Sequence, residues 1–484
     1  MSISVETFFL DPTAPGTLQA RIQQMVAQGI LAGRFRPGER LPSSRRMAKH
    51  LGVSRITVTL AYTELVADDY LTSRGRSGYF VSDNAPEPPA FPAQRATTST
   101  VDWSRAIGQK FSPGLGMEKP ADWADYKYSF IYGQADPTLF DSANWRLCAL
   151  QALGKRDFSA LTVDYFDGDD PQLVEFIARQ TLPRRGILAG PDEILVTMGA
   201  QNALWLTAQV LLTQRRRAVI EDPCYPALRA ILTQSRCQLS PVAVDRDGLP
   251  PDALPDDTDV VFTTPSHQCP TTATMPLPRR HALLDRAERD DFLVVEDDYE
   301  FEMAFLKPSS PALKSLDRNG RVIYVGSFSK SLFPGLRLGY LVGPAPFIKE
   351  VRALRASLLR HPPGLTQRTV AYFLSLGHYD ALVRRMSQAY HTRRKVLDDS
   401  LNSHGIHVAG QGAYGGSSVW VAAPDHINTT QLATQLRGCS VLIEPGAPFF
   451  VGDAPPQHYM RLAYSSLPAS LIPEGVARIA RAIS

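Results

Sequence analysis

The sequence predicts an α/β protein with two folded parts: a small helical domain ending in a β-hairpin, and a large domain built on a mostly parallel sheet. Three observations lead to this fold class. Residues 1–83 are dense in helix and hairpin signals, and residues 84–125 are rich in proline and small polar residues. In residues 126–484, apolar strands alternate with helical stretches. The length of 484 residues also fits more than one domain.

Short apolar runs predict the strands of the large domain. Helical stretches separate them, which is the pattern of parallel strands buried on both faces of a sheet. The predicted strands are Ile194–Met198, Arg217–Glu221, Val260–Thr264, Phe292–Glu296 and Val322–Gly326. The preceding segment, 84–125, contains four prolines between residues 86 and 92, and we interpret it as an extended linker.

Two helices are predicted on either side of a short turn that contains Gly52. Ser43 or Ser44 can cap the first helix, which Gly52 ends. Ser54 can cap the second helix, which extends from Arg55 to Ala67. The apolar positions at helical spacing are Met47, Ala48, Leu51, Val58, Ala61, Tyr62 and Leu65. Two helices joined by a three-residue turn form a helix-turn-helix, whose second helix enters the DNA major groove.

A β-hairpin with a glycine-rich tip follows in Leu71–Val81, and its tip carries two arginines. Such a hairpin forms a wing that can lie along phosphates or the minor groove. Between residues 17 and 83 there are ten Arg and Lys against five Asp and Glu, so this segment carries a charge of +5. The candidate DNA-binding residues are Ser43, Arg45, Ser54, Arg55, Thr57, Arg74 and Arg76.

This first part of the chain resembles the DNA-binding domain of the GntR family of bacterial regulators. The resemblance is carried by Leu41–Arg45, Leu51–Val58, Ala61–Leu65 and Gly75–Val81. It covers nearly the whole segment and implies a winged helix-turn-helix that binds double-stranded operator DNA.

The remaining composition excludes several classes of protein. The five cysteines are scattered, odd in number and without a CxxC pair, which argues against a disulfide framework or a zinc site. The N-terminus lacks the features of a signal peptide, and no apolar run is long enough to span a membrane. We therefore expect a cytoplasmic protein without a metal site.

The strongest chemical signal is Ser327–Tyr340, which follows an apolar strand and contains Lys330. A lysine at the end of a buried strand is costly unless it is neutralised or bonded. A Schiff base with an aldehyde achieves both. Arg337 and the serines of this stretch can bind a phosphate carried by that aldehyde.

Further residues near strand ends would suit an aldehyde that is carried on an aromatic, nitrogen-containing ring. Asp297 can pair with a protonated ring nitrogen, and Tyr299 can hydrogen-bond a phenolic oxygen of the ring. Tyr225 can stack on the ring. Gly199, Ala200 and Gln201 form a strand-to-helix turn whose N–H groups suit a phosphate.

Taken together, these motifs resemble the fold type I aminotransferases from about residue 126 to residue 484. The resemblance implies pyridoxal phosphate bound as an imine on Lys330, with Asp297 at the pyridinium and Tyr299 at the phenolic oxygen. It implies phosphate binding by Ser327 and Arg337 together with the turn at 199–201, and Tyr225 over the ring. Arg461 matches the arginine that holds a substrate carboxylate.

A GntR-like domain joined to an aminotransferase-like domain resembles the MocR/GabR family of regulators, and the whole chain looks close to its taurine-responsive members. The stretch Thr264–Gln268 supports this, because the family carries TPSHQ there. Cys269 with Thr272, the stretch 165–171 and Gly415–Ser417 depart from the family's usual pattern. These positions are expected at the effector pocket, so they leave the effector's identity open.

Two functions remain open from the sequence. The first is a homodimeric regulator that senses a small anionic amine, such as taurine or γ-aminobutyrate, by external aldimine formation. The second is a working aminotransferase with an N-terminal DNA-binding extension. A metabolic enzyme has no use for a recognition helix and a wing, so we favour regulation. An anionic effector is expected because the guanidinium of Arg461 would need a partner in a closed pocket.

Overall fold

The computed structural model describes residues 2–10, 15–86, 101–111, 120–164, 166–410 and 412–483. The chain divides into two compact units, Met1–Lys110 and Phe111–Ser484. Much of the predicted linker 84–125 lies outside the described residues. No helix of the described ranges is long and apolar enough to cross a membrane.

The first unit contains the predicted helix-turn-helix and hairpin. Its elements are α1 (Leu18–Leu31), α2 (Ser44–Leu51), α3 (Arg55–Ala67), β1 (Leu71–Ser73), β2 (Tyr79–Val81) and α4 (Trp103–Ala106). The Ser43 side chain accepts from the Arg46 N–H, and Gly52 ends α2 with φ of 66°. Ser54 caps α3 in the same way. These caps explain why both helices begin, and why α2 ends, where the sequence predicts.

Tyr62 holds α3, the second helix of the helix-turn-helix, in place. Its ring is fully buried, and its hydroxyl donates to the carbonyl of Pro42, just before α2. On its other side it meets the ring of Tyr79 on β2 edge to face, with 4.9 Å between ring centres. One side chain thus connects both helices of the motif to the wing.

The second unit contains twelve α-helices and thirteen strands within its described residues. The helices are α5 (Ser142–Ala152), α6 (Lys155–Leu161), α7 (Pro171–Phe176), α8 (Ala200–Leu211), α9 (Pro226–Gln234), α10 (Leu277–Arg289), α11 (Leu313–Leu316), α12 (Ala345–Leu359), α13 (Gly364–Ser375), α14 (His378–Ser403), α15 (Thr429–Arg437) and α16 (Ile472–Ile483). The strands are β3 (Tyr128–Ser129), β4 (Ile194–Thr197), β5 (Arg217–Asp222), β6 (Gln238–Ala243), β7 (Val260–Thr263), β8 (Leu293–Asp297), β9 (Val322–Ser327), β10 (Gly339–Val342), β11 (His407–Val408), β12 (Ser418–Ala422), β13 (Val441–Leu442), β14 (Glu444–Pro445) and β15 (Tyr459–Ala463).

A seven-stranded sheet of order β4-β10-β9-β8-β7-β5-β6 forms the centre of this unit. The strands β9, β8, β7, β5 and β6 are parallel, and β10 is antiparallel to both of its neighbours. Both faces are covered: Ile194 and Val196 pack into one apolar cluster and Leu195 into another. The predicted mostly parallel sheet is confirmed, because side chains that alternate along each strand are buried on both sides.

A smaller antiparallel sheet of order β11-β12-β15-β14 lies towards the C-terminus. In it, Arg461 on β15 is the register partner of Trp420 on one side and of Glu444 on the other. This register places the arginine on a central strand between two fixed neighbours.

Candidate functional site

A cavity of about 290 Å³ opens where the strands β4, β9, β8 and β5 end. In open α/β sheets the carboxyl ends of the strands form the crevice in which ligands bind. The cavity is lined by Tyr132, Ala200, Gln201, Tyr225, Thr264, Cys269, Asp297, Tyr299, Ser327, Ser329, Lys330, Pro334, Arg337 and Arg461. Lys330, Arg461 and all the predicted cofactor residues are in this lining except Gly199, the residue before Ala200. Of the other described positions expected at the effector pocket, only Cys269 is in it.

Asp297 is the most perturbed acid of the cavity. The carboxyl group is buried at the end of β8, and its Oδ1 atom has no hydrogen-bond partner. Burial raises the pKa of Asp297 to about 7, and repulsion from Asp298 and Glu221 adds to this. An isolated carboxylate is costly in such a place, so the site favours a cationic N–H partner.

This geometry predicts a pH effect on the cofactor-free protein. The carboxyl of Asp297 titrates near pH 4 when unfolded and at about 7 when folded, so the folded state binds more protons between these values. The free energy of unfolding therefore falls as the pH rises from about 4 through about 7, by an amount on the order of a few kcal/mol. We expect Asp297→Asn to raise the thermal midpoint more at pH 8 than at pH 5. An equal change at both pH values would contradict the assignment.

Lys330 lies in the turn directly after β9 and is half-buried. Its Nζ atom is 3.9 Å from the ring centre of Tyr132, and the guanidinium carbon of Arg461 is 4.0 Å from the same centre. The amine and the guanidinium are thus at most about 8 Å apart, within the length of a short bifunctional amine.

The part of the lining formed by Ala200, Ser329 and Arg337 has the features of a phosphate cradle. The helix α8 begins there, after Gly199 with φ of 86°. A Cβ atom at Gly199 would lie 3.6 Å from the Ser329 hydroxyl and 3.7 Å from the Arg337 guanidinium. The Ser329 hydroxyl is buried without a hydrogen-bond partner. A helix N-terminus, a guanidinium and hydroxyls are together suited to an anion.

The stretch Thr264–Gln268 is fixed by one buried acid, Glu221 at the end of β5. Thr264 donates its hydroxyl to Glu221 at 2.6 Å, and the Gln268 amide donates to the same carboxylate at 3.2 Å. Burial raises the pKa of Glu221. This network holds Cys269 at the cavity wall.

Arg461 is already paired. Its Nε atom donates to Oε2 of Glu444 at 2.8 Å, and both side chains are buried. The rings of Tyr132 and Phe449 lie 4.0 and 4.7 Å from its guanidinium carbon, and its Nη1 atom lies 3.9 Å from the Cys269 sulfur. The expectation that this arginine needs an effector as its partner is therefore wrong, because Glu444 on the neighbouring strand β14 supplies one.

Sequence reasoning missed Tyr132 and Glu444 in this site. Neither residue lies in a recognisable motif, and both reach the site through contacts distant in sequence. Of the positions that depart from the family pattern, Cys269 lines the main cavity and Ser417 lines a smaller one beside Lys330. Tyr165 lies outside the described residues.

The candidate DNA-binding residues lie at the surface of the first unit. Arg45 and Arg55 are exposed at the starts of α2 and α3. Arg74 on the hairpin is exposed, and its guanidinium carbon lies 4.7 Å from the Phe80 ring centre. The side chain of Arg76 lies outside the described residues.

The hydroxyl groups among these candidates are engaged by their own helices. The Ser43 and Ser54 oxygens accept from backbone N–H groups as caps. The Ser54 hydroxyl also lies 2.8 Å from that of Thr57. These residues shape the helix starts, whereas the arginines extend outward.

Each of the two units matches a known protein family. The family described as "Bacterial regulatory proteins, gntR family" matches residues 18–81. The family described as "Aminotransferase class I and II" matches residues 148–479. The second match covers more than half of the chain.

Two named relatives match most of the chain. The HTH-type transcriptional regulator TauR of Rhodobacter capsulatus is 58% identical over 100% of both chains. The probable rhizopine catabolism regulatory protein MocR of Rhizobium meliloti is 32% identical over 80% of this chain and 78% of its own length.

Among solved structures, the α-aminoadipate aminotransferase LysN of Thermus thermophilus has a TM-score of 0.71 and 27% identity. The match covers 79% of this chain and 98% of that one, which is complexed with N-(5'-phosphopyridoxyl)-L-leucine. The second unit therefore has the fold of the type I aminotransferases.

Proposed function

This chain belongs to the MocR-type regulators, in which a GntR-family DNA-binding domain is joined to an aminotransferase class I and II domain, and we propose that it is a pyridoxal phosphate-dependent sensor of a small anionic amine. The observation that carries the proposal is the cavity that joins Lys330, the Asp297 carboxyl with its unpartnered Oδ1 atom, and Arg461. The same chain carries a capped recognition helix and a wing. The proposal places the protein with its DNA in the cytoplasm.

The residues of the cavity fit pyridoxal phosphate. Lys330 would hold its aldehyde carbon, Asp297 its pyridinium nitrogen and Tyr299 its phenolic oxygen. The unpartnered oxygen atoms of Asp297 and Ser329 support this fit, because each would gain a hydrogen-bond partner. The remaining cofactor residues would be Gly199, Ala200 and Gln201 with Ser327 and Arg337 at the phosphate, and Tyr225 over the ring.

The bound cofactor would supply an electrophilic carbon to which a primary amine can be joined covalently. The residues of the chain then select the amine. Arg461 presents a fixed guanidinium within about 8 Å of Lys330, so a short amine with an anionic head can occupy both positions. Taurine is our first candidate and γ-aminobutyrate the second.

The experiment that tests this proposal follows two signals in one sample. The full-length protein with its cofactor is titrated with taurine and with γ-aminobutyrate, and both the imine absorbance and the affinity for operator DNA are recorded. We expect both signals to change over the same concentration range, without continued release of an oxo product. Steady turnover without any change in DNA affinity would instead support the alternative, a working aminotransferase with a DNA-binding extension.

DNA binding gives a second prediction, in which two arginines have different roles. Arg55 lies at the reading end of α3, so Arg55→Ala should weaken specific operator binding by about 1–3 kcal/mol. Arg74 lies on the wing and would contact phosphate, so Arg74→Ala should lower the slope of affinity against salt by about 1. Fluorescence anisotropy on operator and random duplexes measures both. Equal losses on the two duplexes for Arg55→Ala would remove its base-reading role.

We also propose that the second unit forms a homodimer. Several large apolar side chains of its first helices are exposed, including Leu147 (61%), Leu150 (54%) and Phe158 (50%). Leu147 and Leu150 are three residues apart on α5 and so lie on one face of that helix, and exposed apolar patches are typical of surfaces that another protein covers. Light scattering should give a mass of two chains, and a mass of one chain at working concentration would contradict the proposal.

A further inference from the structure

The pair formed by Arg461 and Glu444 determines the charge that an effector meets. The two residues are direct register partners on β15 and β14, and they are joined by a 2.8 Å hydrogen bond. Both are almost completely buried, with 3% and 6% of their surface exposed. The arginine is therefore neutralised by its own chain before any effector enters.

The geometry also shows which edge of the guanidinium an effector can reach. Glu444 occupies the Nε edge, and the rings of Tyr132 and Phe449 lie against the guanidinium carbon. The Nη1 atom is directed towards Cys269, which lines the cavity. An anion in the cavity would thus bind at the Nη1 edge, with the Glu444 carboxylate on another edge of the same cation.

Two opposing effects follow from this arrangement. A buried arginine without a counter-charge is strongly destabilising, so Glu444 stabilises the effector-free protein. The same carboxylate repels an incoming anion across the guanidinium. At the effective dielectric constant of a protein interior, this repulsion corresponds to an affinity loss on the order of tenfold or more.

We propose that Glu444 sets the affinity of this site, weakening the grip of Arg461 on anionic amines while keeping the empty pocket stable. The inference rests on the proposed function, because it assumes that the effector is an anionic amine captured in this cavity. Its consequence is a sensor that releases its effector when the concentration falls, since the arginine keeps its partner Glu444 whether or not the effector is bound.

Glu444→Gln tests this inference, because the amide keeps an oxygen that can accept from Arg461 Nε and removes only the charge. We expect taurine and γ-aminobutyrate to bind about tenfold more tightly to the variant by imine absorbance. An amine without an anionic head, n-propylamine, should bind both proteins equally. The cofactor-free variant should also unfold at a lower temperature. Glu350→Gln on the exposed face of α12 removes the same charge elsewhere and should change none of these values.

Equal or weaker binding of both anionic amines to Glu444→Gln would overturn the inference. Tighter binding of n-propylamine by the same factor would also overturn it, because the effect would then not depend on the anion. If the wild-type protein responds to n-propylamine but to neither anionic amine, the proposed effector class itself fails, and the inference fails with it.

A second inference concerns the recognition helix and depends on different observations. Ile56 and Leu60, one helical turn apart on α3, are 72% and 48% exposed. The core-facing residues of the same helix, such as Val58 and Ala61, are fully buried. Ile56 therefore does not contribute to the core, and it lies beside Arg55 at the start of the helix.

The polar side chains near Ile56 already form hydrogen bonds within α3 itself. Ser54 and Thr57 bond each other and form the cap, and Thr59 donates its hydroxyl to the carbonyl of Arg55. In the major groove, the apolar group presented by a base is the methyl group of thymine. We infer that Ile56 reads a thymine methyl group of the operator. The inference rests on the proposed DNA binding, and the proposed dimer would read one such group in each of two half-sites.

Replacement of thymine by deoxyuridine tests this reading, because it removes the methyl group alone. An operator is selected from a random duplex pool with the full-length protein, and each thymine is then replaced in turn. We expect one position per half-site at which wild-type affinity falls about fourfold. Ile56→Ala should bind the thymine and uracil duplexes equally, whereas Leu188→Ala, at an exposed position of the second unit, should discriminate as the wild type does.

Two outcomes would overturn this second inference. One is a wild-type protein that binds every uracil-substituted duplex as well as the parent duplex. The other is an Ile56→Ala variant that still discriminates at the sensitive position. Failure to select any duplex would instead contradict the proposed DNA binding.

Discussion

Replacement of Lys330 by alanine should abolish the imine absorbance of the cofactor-loaded protein completely. Lys330 is the lysine in the lining of the described cavity, and its amine lies beside Tyr132. Without this amine the chain has no group in the cavity that can form a Schiff base with an aldehyde. Absorption spectra of both proteins after incubation with pyridoxal phosphate and dialysis measure the effect.

The matched control is Lys349→Ala, which removes an exposed lysine of α12. It should keep the wild-type spectrum. Circular dichroism should show that Lys330→Ala retains its secondary structure, because the half-buried lysine side chain is not part of an apolar cluster. An unchanged imine band in a folded Lys330→Ala protein would show that the cofactor is held elsewhere.

Replacement of Arg461 by alanine should remove the response to anionic amines. The loss of a buried charged hydrogen-bonding partner is expected to cost about 2–5 kcal/mol of binding free energy. The substitution also affects the stability of the protein, because Glu444 would be left buried without its counter-charge. We therefore also expect the variant to be less stable by about 3–5 kcal/mol.

Two further variants separate these effects. Arg461→Lys keeps the charge but lacks the planar fork, so it should recover stability more than effector affinity. The double variant Arg461→Ala with Glu444→Ala removes both charges and should recover stability without recovering the response. Titration with taurine and γ-aminobutyrate, together with thermal unfolding, measures each variant. A wild-type response in Arg461→Ala would show that the arginine does not hold the anion.

The sequence alone determined the local structure of both units. Helix starts at Ser43 and Ser54 and the end at Gly52 were predictable, because caps depend on residues within one helical turn. The strands were predictable because apolar runs bounded by turn residues need no distant partner to be recognised. Lys330 and Asp297 were also predictable as neighbours. Asp297 ends β8, Lys330 comes shortly after β9, and the carboxyl ends of parallel strands meet at one edge of the sheet.

The tertiary structure alone decided the electrostatic surroundings of that site. Glu444 reaches Arg461 through strand register, and Tyr132 comes from a segment almost two hundred residues before Lys330. No local pattern marks either residue, because a tyrosine or a glutamate near a strand usually packs or is solvated. Folding brings together side chains from distant segments, and this decides which charges are paired before an effector arrives. The sequence periodicities of two and 3.6 residues, which reveal strands and helices, carry no information about such contacts.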